Sequence, residues 1–133
     1  MAWKISDHDC EGQAEAIVEL LRRSHWGEIM SPTLYRFEDV GLSISADDAD
    51  IWQFCQDNGY LFITGNRSTK AGHKSLEAAI RARFEEDSLP VLTIGNPKRV
   101  IPDSYYRQKC VDKLAEIIFD IEQRLGVMRL YLP

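Results

Sequence analysis

Three places along the chain collect side chains of the types that chemistry uses. Asp7, His8 and Asp9 follow a short apolar stretch directly. In extended chain Asp7 and Asp9 point the same way and His8 the opposite way. Two carboxylates on one side suit a hard cation such as Mg²⁺, which needs one or two carboxylates plus waters and a substrate phosphate. Asp47, Asp48 and Asp50 offer a further acid, although Asp at the start of a helix is also a common cap. The third place is "GYLFITGNRSTKAGHK", where an apolar run ends in Gly65, Asn66 and Arg67, followed by Lys70, His73 and Lys74. Such cations can hold phosphates, and they are also ordinary on a solvated loop. The phrase recurs: "FITGN" is matched by "LTIGN", which adds Asn96 to the candidates. His8 has no second histidine placed to join it as a ligand, and Cys10 has no identifiable partner base.

Other chemistries lack their signatures. There is no G-x-S-x-G elbow for acyl transfer. There is no G-x-x-x-x-G-K-[ST], and no G-x-G-x-x-G after a strand, so the common nucleotide cradles are missing. At 133 residues, 44% hydrophobic and 28% charged, the chain has the size and composition of one globular domain. No apolar run approaches the length of a membrane span, and no secretory signal is expected at "MAWKISDHDCEGQ". Three well-separated cysteines, Cys10, Cys55 and Cys110, predict buried reduced thiols and a cytoplasmic protein. The net charge of −5 is uneven: residues 1–60 hold 12 acids and 4 bases, residues 61–110 hold 5 acids and 9 bases. An acidic half beside a basic stretch is compatible with a metal meeting a phosphate, and equally with two halves that attract each other.

The elements that must position these residues follow from periodicity. Strands are predicted at 2–6, 34–37, 60–64 and 89–94, with an extended tail at 127–132. Helices are predicted at 11–25, from Ser45 to about Asp57, from Ser75, and over about 103–125 up to Gly126. Ser45 and Asp48 have capping-box spacing. The last helix is expected to face the core with Val111, Leu114, Ile118, Ile121 and Leu125, and to project Ile117 and Phe119 elsewhere. Strands alternating with helices predict an α/β fold, a three-layer domain with a mostly parallel central sheet flanked by helices. Right-handed crossovers would then set the strands' carboxyl ends on one rim, where open α/β sheets bind ligands.

At these residues the chain resembles a family. A first strand ending in Asp, a helix opened by "S-x-D-x-x-I-W-x-F", and "LFIT" followed by a polar loop are similar to the compact PIN-like nucleases. These are small proteins often proposed as toxin components of toxin–antitoxin pairs. The resemblance covers about residues 2–96. The phrases "RFEDVGLS", "ITGNR", "SLEAAIR" and "SLPVLTIGNP" resemble a subgroup met mainly in cyanobacteria. The resemblance implies rim carboxylates that bind Mg²⁺ or Mn²⁺ and activate water to cut RNA. Carried over, the first acid is Asp7 with Asp9 close behind, and the second is Asp48 beside Asp47. The third falls on Asn66 and a further Asp falls on Ser68, so this chain departs from the pattern at both. Asn offers a neutral carbonyl oxygen to a metal but cannot act as a general base.

Two readings result. One is a divergent PIN-like ribonuclease in which Asp7 and Asp48 ligate Mg or Mn. Asp9 would then position or activate water, Asn66 and Arg67 would hold the scissile phosphate, and Lys70, Lys74 and Asn96 would bind RNA further out. The other is a catalytically degenerate PIN-like module that binds an RNA or an antitoxin-like protein. A plain small-ligand domain, with its carboxylates serving as caps, stands behind both. The surplus apolar surface of the last helix and the unpaired edge of the tail also predict a homodimer through those two elements.

Overall fold

In the computed structural model, which describes residues 3–6, 10–43, 45–65 and 70–133, strands and helices alternate as the periodicity requires. The strands are β1 (Trp3–Ser6), β2 (Leu34–Tyr35), β3 (Tyr60–Gly65), β4 (Val91–Ile94) and β5 (Arg129–Leu132). The helices are α1 (Glu11–Arg23), α2 (His25–Met30), α3 (Asp48–Asn58), α4 (Lys70–Arg83), α5 (Pro97–Val100) and α6 (Ser104–Phe119). All four strand pairings are parallel, in the order β2-β1-β3-β4-β5. The sheet is therefore fully parallel, and its central strands are apolar on both faces because helices cover both. Among the described residues no helix is long and apolar enough to cross a membrane.

Strand alternation divides the core in two. Leu61, Ile63, Leu92 and Ile94 face one way, with Ala14, Ile17 and Leu21 of α1 and Val111, Leu114 and Ile117 of α6. Phe62 and Val91 face the other way, with Ile51, Trp52 and Cys55 of α3 and Leu76 and Ile80 of α4. The three layers follow. The same partition fixes the hand of each crossover. α4 and α6 both carry the chain one strand further in the same direction, yet they lie on opposite faces. The β4–α6–β5 connection thus has the hand opposite to the others, against the usual rule for parallel strands. α6 lies where it covers the apolar stripe of α1, so β5 has no crossover helix of its own on the α4 side. A polar network fills that place: Arg129 donates to Glu77 Oε1 at 2.6 and 3.1 Å and to Thr93 Oγ1 at 2.5 Å.

Several boundaries differ from the sequence expectation. The segment 11–25 breaks at Ser24, whose hydroxyl accepts from the Trp26 N–H and starts α2. β2 stops at Tyr35, and Phe37–Val40 turns into a 3₁₀ helix that buries Phe37. β4 begins at Val91 rather than at residue 89. The Ser45–Asp48 capping box is not formed; Ser45 bonds Ser43 instead, and α3 begins at Asp48. α4 begins at Lys70, five residues before Ser75. The last helix ends at Phe119 instead of running to about 125; Ile121–Arg124 is a separate 3₁₀ turn. That break moves Leu125 off the inner stripe, to 37% exposed, while Ile117 is buried against the expectation. Tail residues 129–132 pair with β4 of their own chain, so the unpaired tail edge invoked for a homodimer has an intramolecular partner on one side.

All three cysteines are buried and none forms a disulfide. Burial pushes the Cys55 thiol up to about 12 and the Cys110 thiol up to about 11. Neither forms thiolate near neutral pH, and thiolate is the reactive form. The folded protein should leave a disulfide-exchange reagent unconsumed at pH 8, and all three thiols should react once denaturant is added. A thiol that reacts at once in the folded protein would contradict this burial.

Candidate functional site

The order β2-β1-β3-β4-β5 reverses direction between β1 and β3. The chain leaves β1 towards α1 on one face and leaves β3 towards α4 on the other, the switch point at whose carboxyl ends open α/β sheets bind ligands. Ser6 pairs with Ile63 across these two strands, so both loops start from neighbouring positions. The strand ends at this switch point are buried and partly polar. Cys10 Sγ lies 3.8 Å from Ser6 Oγ and donates to the Ile63 carbonyl at 3.7 Å. Thr64, also buried, lies on the opposite face of the sheet.

The repeated strand-Gly-Asn phrase has a steric reason. A Cβ on Gly65 would lie 3.0 Å from Pro97 Cγ and 3.7 Å from Cys10 Cβ. On Gly95 it would lie 2.6 Å from the backbone oxygen of Pro133. Neither glycine has a positive φ, so close approach and not backbone conformation requires them. Pro97 at the start of α5 thus presses against the end of β3.

Asp7, His8, Asp9, Asn66, Arg67 and Ser68 lie outside the described residues. Lys70 and Lys74 lie in α4 rather than in a loop, in a part where only the backbone is described. Asp48 is the first residue of α3 and half-buried; Asp47 and Asp50 are exposed. Asp47 holds the N-cap position without a side-chain capping bond. Since Gly59 alone separates α3 from β3, these acids sit at the end of α3 remote from the start of β3, towards the carboxyl rim. Asn96 is on the rim with an exposed side chain, while its backbone N–H donates to Tyr106 Oη at 2.7 Å. Tyr106 Oη in turn donates to the Pro133 backbone oxygen at 2.5 Å and ties β4, α6 and the end of β5 together. Among the described residues no three His, Cys, Asp or Glu side chains converge closely enough to hold a metal ion.

Beyond Asn96 the rim carries groups that the sequence reading passed over. Arg99 sets its guanidinium 4.6 Å from the Tyr106 ring centroid and pairs with Asp103 at 2.7 Å. The Asp103 carboxyl is held below its ordinary range by Arg99 and by the Tyr106 N–H that it caps at the start of α6. Lys109 Nζ lies 4.6 Å from the centroid of the exposed Tyr105 ring. Cations interleaved with aromatics in "NPKRVIPDSYYRQK" were the available signal.

Together these features define a class: an α/β protein with a doubly wound, five-stranded parallel sheet and a switch point between β1 and β3. No family model matches the chain, and no curated protein or solved structure matches it.

Proposed function

We propose that the chain is a divergent PIN-like, metal-dependent endoribonuclease of the toxin–antitoxin kind, acting in the cytoplasm. The observation that carries this reading is the adjacency of β1 and β3 at the switch point. The residues next in sequence are Asp7 and Asp9 after β1, and Asn66 and Arg67 after β3. The acidic first turn of α3 supports it from the same rim of the sheet.

The donor set is made of oxygens alone, which fits Mg²⁺ or Mn²⁺ and not a softer metal. Asp7 and Asp48 would hold the ion, with the Asn66 carbonyl as a neutral neighbour. Bound there, the metal supplies an activated water and charge stabilisation at the phosphate. Asp9 orients the attacking water and takes up its proton. Arg67 grips the scissile phosphate, and Lys70, Lys74 and Asn96 hold phosphates further along. Asn66 withholds one negative charge from the site, which favours weak metal binding. The same substitution supports the second reading, a non-catalytic module that binds RNA or an antitoxin-like protein. A homodimer now rests on Phe119, 73% exposed and 6.2 Å from the ring of Trp26.

Metal titration followed by thermal unfolding tests the proposal. Millimolar Mn²⁺ should raise the melting temperature, because a ligand that binds only the folded state stabilises it. Asp7→Ala should remove the rise. Without any metal-dependent rise, and without cleavage of single-stranded RNA, the nuclease reading fails.

A further inference from the structure

We infer that α5 and the first turns of α6 form a surface that holds single-stranded RNA, with Tyr105 as its stacking platform. The inference deepens the nuclease proposal by naming where the strand lies. Its first support is charge. The whole chain carries −5, yet residues 97–110 hold four bases and one acid. That acid, Asp103, is engaged by Arg99 at 2.7 Å. Arg107 is anchored by donating to the carbonyls of Val100 and Ile101 at 2.9 and 2.8 Å, and adds field rather than grip. Lys98 and Lys109 are the exposed lysines left to meet phosphates.

The second support is an aromatic that the fold does not use. Tyr105 is 68% exposed, while its neighbour Tyr106 is buried and fixes the rim. Lys109, one turn later, lies against the Tyr105 ring. An exposed ring beside a lysine is the pairing that binds unstacked bases and their backbone without reading sequence. The third support is position. Pro97 packs on Gly65, so α5 adjoins the carboxyl end of β3 directly. From there α5 and the start of α6 carry the chain onward from the carboxyl end of β3, where the nuclease proposal lays the strand.

Fluorescence anisotropy with a labelled single-stranded oligouridylate, in EDTA at low salt, tests this apart from catalysis. Saturable binding should weaken steeply as salt rises. Tyr105→Ala should weaken it about tenfold, the scale of one lost stacking contact. Lys98→Gln combined with Lys109→Gln should weaken it and flatten the salt dependence. Phe119→Ala, at the far end of α6, should bind as the wild type does. All these side chains are exposed, and unchanged melting curves will confirm that each variant folds. No binding at low salt, or binding indifferent to Tyr105 and both lysines, would overturn the inference. So would equal binding of a polyglutamate peptide, because charge alone would then account for the surface. Since EDTA removes the metal, RNA binding can hold where cleavage fails. Conversely, cleavage and RNA affinity unaltered by Tyr105→Ala would leave the nuclease standing and remove this surface.

Discussion

Asn66→Asp should bind Mn²⁺ more tightly than the wild-type chain and cut RNA faster. In the proposed site the substitution would preserve shape and add one full negative charge beside the proposed ligands Asp7 and Asp48. A unit charge about 4 Å from another is worth on the order of 1 kcal/mol per unit charge in water and about 4 kcal/mol at protein-like screening. Even the lower figure for a divalent ion predicts at least about tenfold tighter binding. The carboxylate would also supply a base that an amide cannot. Isothermal titration with Mn²⁺ and a single-turnover RNA assay read the two effects separately. Asp7→Ala in the same background should return both to background. If the wild type cuts RNA and Asn66→Asp cuts no better, Asn66 belongs to a different kind of site. If neither cuts, catalysis should be abandoned and the binding-module reading kept.

Trp52 should show two substitutions with very different effects. Among the described residues it is the largest fully buried side chain, on α3 and packed with α4 and the sheet, and 2% exposed. Its indole N–H is buried and has no hydrogen-bond partner among the described residues. Trp52→Ala opens a cavity and should cost about 3–5 kcal/mol, a large part of a small domain's stability. Trp52→Phe loses some volume but also removes the unpaired donor, whose burial costs about 1–3 kcal/mol. The two terms oppose each other, so Phe should cost less than about 1.5 kcal/mol. Urea unfolding of both variants measures the difference. Equal losses for Ala and Phe would mean that the N–H makes a favourable interaction in solution.

Local pattern made the architecture legible. β3 reads as an unbroken apolar run because both of its faces are covered, and α1 reads from Ala14, Ile17, Val18 and Leu21 because one face is. Asp103 reads as the start of α6 because a carboxylate there caps the Tyr106 N–H. Boundaries were less legible where tertiary packing decides. Ser24 splits one periodic segment into α1 and α2. The break after Phe119 leaves Leu125 exposed although it continues the apolar spacing, and the periodicity could not place Ile117 inside.

The candidate site divides the same way. Sequence by itself determined which side chains are present to do chemistry: the acids Asp7, Asp9 and Asp48, the amide at Asn66, and the cations after it. It also predicted a mostly parallel sheet with helices between successive strands, so that the loops after them would share a rim. Which loops become neighbours was decided only by the tertiary structure. The order β2-β1-β3-β4-β5 sets residue 6 beside residue 63, and no local signal encodes strand order. The hand of the last crossover was likewise decided by packing, since α6 buries its stripe against α1 and leaves β5 to Arg129 and Glu77. The glycines of the repeated phrase show the division in single residues. Sequence placed Gly65 and Gly95 after strands, but only folding brings Pro97 and Pro133 so close that a Cβ has no room.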